Sequence, residues 1–578
     1  MTDTNILLPS SVPFFTPSDG SGRIVWLSND PPRLFEGIIS LHCSLIASDT
    51  DENAGKEEDI EVNSTKGSKA GIGVGNYHSW SELLTRNTFV LFTCAGVAFI
   101  GACTSGYDSS LMTSINGMLS YQKKFNQGSL DSTTGIIFAI YTIGQLAGSL
   151  FAGTTCDRIG RRWTMFVGNS IIIVATAVIA AAMNKGMFIG GRFILGIGVS
   201  FVQVSAPTFA VEVAPPQWRG RITALYNTGY FGGAIPAAGI TLATQRMTSD
   251  WAWRIPILIQ LLPAVIVMTI VPFLPESPRW LYMHGFENEA FEFLERYHAN
   301  GRKGDPLVTL QIEEFKESIK VGGERESWWD YRPLVATSNA RWRAFMVLLM
   351  GIFGQWSGNG LGYYNLSIYQ SLGFDTQMRF NMNLIGQCLN ALSSWVAVSL
   401  SDRMPRRMVL VWGTALCSLM LAANAGFSAA WAGYVEGGGT KNLAIGRAGA
   451  GFYILFNIVY AFTYTPLQAL YPAECLSSEM RAKGLSMKIF IIGCTSFLSL
   501  FLSPIAFGNI GWKYVLVFVF WDAFEAIVWY LYAVETVGFT LEELDEVFGS
   551  ANPVETSKKG SQKWRWAEFN NVKSDEAT

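Results

Sequence analysis

Charge is scarce in this chain. Asp, Glu, Lys and Arg make up 15% of its 578 residues against 49% apolar residues, a balance that excludes an ordinary soluble enzyme of this length. Histidine is scarcer still. His42, His78, His284 and His298 all lie outside the apolar runs, so no histidine can relay protons within them. The eight cysteines are scattered without paired or metal-ligand spacing, which argues against a disulfide framework or a bound metal. There is no Gly-x4-Gly-Lys-Ser/Thr loop to cradle the phosphates of ATP, and no hydrolytic or cofactor-binding constellation. An enzyme is not expected. The net charge of −3 gives no nucleic-acid footprint, and the start lacks the charged-then-apolar pattern of a cleaved signal peptide.

What the chain has in abundance is apolar runs. Twelve are read as spans, roughly at 89–111, 133–153, 163–184, 187–209, 222–245, 255–274, 342–370, 380–400, 408–430, 447–471, 484–507 and 512–534, each near the roughly 20 residues that cross the hydrocarbon. Lipid offers backbone groups no hydrogen-bond partner, so helices are the open-ended solution. The expected fold is an all-α membrane protein with twelve transmembrane helices in two six-helix halves, 86–274 and 342–535. A helical cytoplasmic central loop at 275–341 joins them, between tails at 1–85 and 536–578. Residues 49–75 read as disordered, and Phe35 to Ala47 is apolar but too short to span. Small residues recur inside the runs, as in Gly186, Gly190, Gly191, Gly196 and Gly198, and such faces let helix backbones approach closely in a bilayer.

A basic loop occurs twice between apolar runs: Gly153-Thr-Thr-Cys-Asp157-Arg158-Ile-Gly160-Arg161-Arg162, then Asp402-Arg403-Met-Pro405-Arg406-Arg407. Downstream of the first, Glu212 precedes Arg219 by seven positions; downstream of the second, Glu474 precedes Arg481 by seven. Two landmarks in the same order imply two related halves, and duplicated helix bundles hold their cargo at the interface between halves. A transporter is expected. Arginine and lysine concentrate after even-numbered spans, which places both termini and the central loop in the cytoplasm. Asp157, Arg158, Arg161, Arg162, Glu212, Arg219, Asp402, Arg403, Glu474 and Arg481 are expected to form a charge network holding a cytoplasmic gate shut; a solvated basic face would explain the arginines but not the acids among them.

Asp108 follows about twenty uncharged residues in the first span. A charge there costs from about 2.5 kcal/mol upward, so such groups face a cavity, pair or titrate. A helix-end aspartate is the competing reading. Arg192 is the natural partner, and a carboxylate that either pairs or takes a proton is a two-state element. Asp522 and Glu525, one turn apart in the last span, fit either a second proton site or a structural pair. The seventh span is richest in polar groups: Gln355-Trp-Ser-Gly-Asn359-Gly-Leu-Gly-Tyr363-Tyr364-Asn365. Interrupted helices near the midplane are where transporters bind cargo. Amides suit hydroxyls and aromatic faces suit the C–H faces of a sugar ring. With Asn227, Asn390 and Gln468 in other spans, the set offers no fixed charge, so a neutral cargo is expected.

These residues meet a family pattern. The two basic loops, Pro275-Glu-Ser-Pro-Arg279, the Glu212 and Arg219-Gly-Arg221 cluster and Val534-Glu-Thr-x-Gly538-x-Thr540-Leu-Glu542 resemble the sugar porter branch of the major facilitator superfamily over about residues 85 to 550. Within it, the Gln355 to Asn365 stretch, Trp328-Trp-Asp-Tyr-Arg-Pro-Leu334, Trp253-Arg-Ile-Pro256 and Thr463-Tyr-Thr-Pro-Leu-Gln468 are similar to fungal cellodextrin transporters and lactose permeases. The resemblance implies a proton-coupling pair Asp108 and Arg192, and sugar contacts from Asn227, Gln355, Asn359 and Asn390. Where monosaccharide porters carry tryptophan this chain has Ala469, and Ile492-Gly493 replaces a Gln-Trp pair, which implies a roomier pocket. Pro405 in place of the loop glycine puts equal closure of the two gates in doubt. The expected function is proton-coupled import of a neutral disaccharide, a β-linked glycoside such as cellobiose or lactose, by a plasma-membrane monomer. A passive facilitator, a non-transporting sugar sensor and a metabolite exporter are the competing readings.

Overall fold

The computed structural model describes residues 86–126, 128, 130–299, 301–323, 331–436, 443–477, 480–539 and 541–560, without the side chains of some of them, including Asn227, Asp402 and Arg481. The tail expected at 1–85, with its Phe35 to Ala47 segment, Trp328 to Asp330 and the end of the C-terminal tail lie outside the described residues.

Helices dominate what is described. The long ones are α1 (Arg86–Asn116), α2 (Ser132–Ile159), α3 (Arg161–Ala180), α4 (Lys185–Val213), α5 (Arg219–Thr244) and α6 (Trp251–Phe273). The second set is α7 (Ser338–Trp356), α8 (Thr376–Leu400), α9 (Arg406–Glu436), α10 (Leu443–Cys475), α11 (Arg481–Ile510) and α12 (Lys513–Tyr532). Among the described residues nine are long and apolar enough to cross a membrane, all but α5, α7 and α8. On α8 the polar residues Asn383, Gln387 and Asn390 dilute the apolar character. Between the sets run shorter helices, Pro278–Met283, Glu287–Tyr297, Pro306–Gly323 and Pro333–Ala336.

The duplication read in the loops is repeated in the packing. In the first half α1 packs on α5, α2 on α4, α3 on α4 and α3 on α6; in the second, α7 packs on α11, α8 on α10, α9 on α10 and α9 on α12. Small residues make this possible. A Cβ at Gly106 would overlap the Tyr230 carbonyl of α5, and one at Gly196 would overlap the Tyr141 carbonyl of α2. Gly191 and Gly198 face Ile179 and Ile172 of α3, whereas Gly190 has open space beside it. Prolines free carbonyls within helices, and in lipid these need another donor. Pro472 cannot donate to the Gln468 carbonyl, which accepts instead from Lys488 Nζ at 3.0 Å.

The halves meet along α2–α11 and α5–α8. Their bonds fall at the end away from the basic loops: Gln245 Nε2 donates to Gln377 Oε1 (2.8 Å), Arg246 Nε to the same oxygen (3.1 Å) and Asn383 Nδ2 to Ser114 Oγ (3.3 Å). Gly117 lies against Leu366 and Gly135 against Phe501 and Pro504 there. The far end is therefore the closed one.

Candidate functional site

Two cavities lie between the halves. The seventh helix shapes both. α7 stops at Ser357, Gly358 turns with φ +82, and a 3-10 stretch over Asn359–Tyr364 leads into Asn365–Ser371. Only glycine suits that φ, and a Cβ at Gly358 would also crowd the Phe456 ring. The break turns Asn359 and Tyr363 towards a cavity of about 330 Å³ in the second half, whose wall also includes Gln387, Asn390, Asn457, Tyr460, Thr465 and Gln468. Asn390 and Gln468 line this cavity, while Asn390 Oδ1 and Gln468 Nε2 are buried without a protein partner, Nε2 lying beside Gly354 of α7.

Four residues expected to touch cargo are thus together: Asn359, Tyr363, Asn390 and Gln468. Three are not. Gln355 does not line this cavity; its Oε1 accepts from Asn359 Nδ2 (3.0 Å) and Ser496 Oγ (2.9 Å), so it positions Asn359. Tyr364 is a core residue, 2% exposed, packed on Phe138 with its hydroxyl donating to the Leu500 carbonyl (3.1 Å). Asn227 lies on α5, with its side chain outside the description. Sequence reasoning missed Gln387 and Asn457, although Gln387 stands one turn before Asn390 on α8.

The second cavity, about 420 Å³, lies mainly against the first half and is lined by Ser105, Asp108, Gln145, Arg192 and Gln203, with Ser109, Tyr230 and Tyr363 shared between the two. Asp108 Oδ1 accepts from Arg192 Nη1 (2.6 Å) and Gln260 Nε2 (3.2 Å); both ions are almost fully buried, and Oδ2 has no partner. Arg192 also lies over the Tyr141 ring at 4.6 Å, a cation–π contact. Such a pair is costly to bury and costly to break, since removing one partner strands the other charge.

The roomier wall expected from Ile492-Gly493 and Ala469 is corrected in part. Ile492 and Gly493 line the first-half cavity, but Leu146 of α2 occupies the space a side chain at Gly493 would fill, and Ala469 is absent from either wall. The partner half thereby replaces the missing bulk.

The two basic loops build the same circuit. Arg161 Nε and Nη2 donate to Glu212 (2.9 and 3.2 Å), the Ser277 hydroxyl donates to Glu212 Oε2 (2.5 Å), and the backbone N–H groups of Arg161 and Ser277 donate to Glu276 Oε1 (3.0 Å each). In the second half Arg406 Nη2 and Nε donate to Glu474 (2.9 and 3.3 Å), Thr536 donates to Glu474 Oε2 (2.6 Å), and the N–H groups of Arg406 and Arg407 donate to Glu535 (2.9 and 3.2 Å). Burial pushes the Glu276 and Glu535 carboxyls above their ordinary range, against the pull of those N–H donors.

Within the expected network the seven-residue spacing does not mark a pair. Glu212 is held by Arg161, 51 positions away, while Arg219 donates to the Ala214 carbonyl (3.3 Å). Asp157, 76% exposed, reaches Arg161 at 3.4 Å; Arg162 donates to the Leu274 carbonyl (2.5 Å); Arg158 and Arg403 are exposed. Asp402 and Arg481 have side chains outside the description. Each described circuit joins one half to the segment that directly follows it.

Asp522 and Glu525 are both fully buried. Glu525 Oε2 accepts from Ser357, at the seventh-helix break, and from the Tyr464 hydroxyl (3.2 Å), whereas both Asp522 oxygens lack a partner.

Two helical halves joined at one end around polar cavities, with a buried ion pair in one wall, define a multi-pass membrane transporter of the major facilitator fold. The chain belongs to the sugar (and other) transporter family, whose model matches residues 93–548. It is 30% identical to the MFS-type transporter oryC of Aspergillus oryzae, over 73% of this chain and 78% of that one. It is 27% identical to a high-affinity glucose transporter of Kluyveromyces lactis, over 80% and 86%. Among solved structures it resembles XylE of E. coli, a proton:xylose symporter seen with 6-bromo-6-deoxy-D-glucose, at TM-score 0.63 and 20% identity over 80% of this chain and all of that one.

Proposed function

We propose that this protein is a proton-coupled symporter that imports a neutral disaccharide, a β-linked glycoside such as cellobiose or lactose, by alternating access. The observation that carries the reading is one constellation: the amide residues Asn359, Gln387, Asn390 and Gln468 line one cavity, and the Asp108–Arg192 pair lines its neighbour. A proton on Asp108 would release Arg192, so protonation and the arrangement of the helices carrying the pair are linked. With the basic loops assigned to the cytoplasm by the positive-inside bias, the closed far end faces outward and the structure is inward-facing. The circuits at Glu212 and Glu474 are then the cytoplasmic gate elements, Asn227 keeps its role as a cargo contact on α5, and the protein acts as a monomer in the plasma membrane with both termini inside.

One proton crossing about 100 mV gains about 2.3 kcal/mol, which sustains roughly fifty-fold accumulation. Radiolabelled uptake of cellobiose, lactose, glucose and xylose, with and without an uncoupler, tests the reading. Uphill uptake of a disaccharide that collapses with the uncoupler is expected. Asp108→Asn should abolish accumulation yet keep exchange of labelled for unlabelled sugar; undiminished accumulation by this variant would sink the coupling claim. The relative named as a glucose transporter favours a hexose facilitator as the second reading, and the absence of medium alkalinisation on sugar addition would select it.

A further inference from the structure

The cavity beside the ion pair has polar groups that the coupling role leaves unused. Gln203 Nε2 donates to Ser105 Oγ (3.0 Å) and Gln145 Nε2 to the Tyr141 hydroxyl (3.2 Å), while Gln145 Oε1 has no protein partner among the described residues. Gln203 is exposed, and it lines the cavity. These amides and hydroxyls come from α1, α2 and α4, all in the first half, and stand across Tyr230 and Tyr363 from the amide-rich cavity of the second half. Each cavity falls at the lower end of the roughly 300–1,000 Å³ typical of small-molecule sites.

We infer that the first-half cavity is a second carbohydrate subsite, which takes the second ring of a disaccharide whose first ring lies among Asn359, Asn390 and Gln468. The inference rests on the sugar-transport reading and adds where the longer cargo is recognised. Three physical points support it. Asp108 and Arg192 neutralise each other, so the wall presents no net charge and suits a neutral ligand. Amide and hydroxyl groups that hydrogen-bond one another loosely can exchange those bonds for bonds to sugar hydroxyls without leaving a buried group unpaired. Tyr230 and Tyr363, bordering both spaces, offer aromatic faces where a glycosidic linkage would cross. A monosaccharide occupies one cavity and never meets Gln145 or Gln203, so these residues select for length.

Binding of cellobiose, lactose and glucose to the purified full-length protein, followed by calorimetry, tests this. The wild type should bind one of the disaccharides more tightly than glucose. Gln145→Ala combined with Gln203→Ala should weaken that disaccharide about tenfold or more and leave glucose within about twofold. Gln203→Trp, which fills the cavity, should exclude the disaccharide and still bind glucose; retained glucose affinity shows that the variant is folded. Asn390→Ala should weaken both ligands. Equal losses for glucose and disaccharide in the glutamine variants, an unchanged disaccharide affinity, or equal wild-type affinities for the two would overturn the subsite while leaving the transporter reading intact. A wild type that binds none of the three sugars overturns both.

Discussion

The two basic-loop circuits are the same device built from different parts. In the first half Gly160 has φ +95 and a Cβ there would press on the Glu276 carboxylate, so the turn depends on glycine. In the second half Pro405 holds the same place, and Glu535 still collects the N–H groups of Arg406 and Arg407. The clamp therefore depends on the carboxylate and not on the glycine, and the doubt raised by the missing glycine is answered for the clamp itself. The circuits differ in burial: Glu212 is 10% exposed and Glu474 26%. They also differ in what holds the next carbonyl along. Val213 O accepts from His298 Nε2 (3.0 Å), in the helices between the halves, while Cys475 O accepts from Arg343 Nη1 (2.8 Å), itself tied to Asp545 of the Leu541–Gly549 helix. One half is latched by an imidazole, which can be neutral or charged, the other by a guanidinium, which stays charged.

Three measurements would break or sharpen that contrast. The largest effect is expected from removing an arginine. Arg161→Ala strands Glu212 in the more buried site and should cost about 3–5 kcal/mol, with Arg406→Ala costing less because Glu474 keeps more water; thermal unfolding of both purified variants gives the order, and the reverse order would contradict the burial argument. Next, Gly160→Ala should cost about 1–3 kcal/mol through strain and crowding, whereas Pro405→Gly should cost about 1 kcal/mol or less by loosening the unfolded chain; similar losses would mean that both turns are equally constrained.

The smallest effect concerns pH. Burial pushes His298 below its usual 6.5, and the Arg219 charge acts in the same direction, against the bonds to Val213 and Gln311. A histidine lowered in the folded state contributes stability that is present above pH 6.5 and is lost as pH falls through its folded value. Protection from hydrogen exchange at Glu287–Tyr297, taken relative to each amide's intrinsic rate at that pH, should therefore fall on acidification in the wild type and lose that dependence in His298→Gln. The Leu541–Gly549 helix, held by Arg343, should show no matching loss over the same range.

Much of the architecture was legible because the bilayer imposes it. Span length, the repeated basic loop and the broken seventh helix each follow from local constraints on hydrogen bonding and charge, and Asp108 met the Arg192 that its lone charge required. The partners of Glu212 and the place of Tyr364 were not legible. Arg219 is nearer in sequence, but a helix end seven residues away faces elsewhere, and Arg161 arrives from α3 through packing. Tyr363 and Tyr364 are adjacent and identical in type, yet the turn after Gly358 sends one to the cavities and the other into the core. The space at Gly493 was read from one strand of sequence, while the Leu146 that fills it belongs to the other half.

By itself, then, the sequence determined that this is a helical membrane protein of two related halves with a lone intramembrane aspartate, an arginine to meet it and an uncharged amide set, because desolvation penalties act residue by residue. The tertiary structure alone decided which amides share a cavity, which glutamate closes on which arginine, and that Tyr230 and Tyr363 border both cavities. Those outcomes depend on how helices far apart in the chain meet, and no local penalty specifies that.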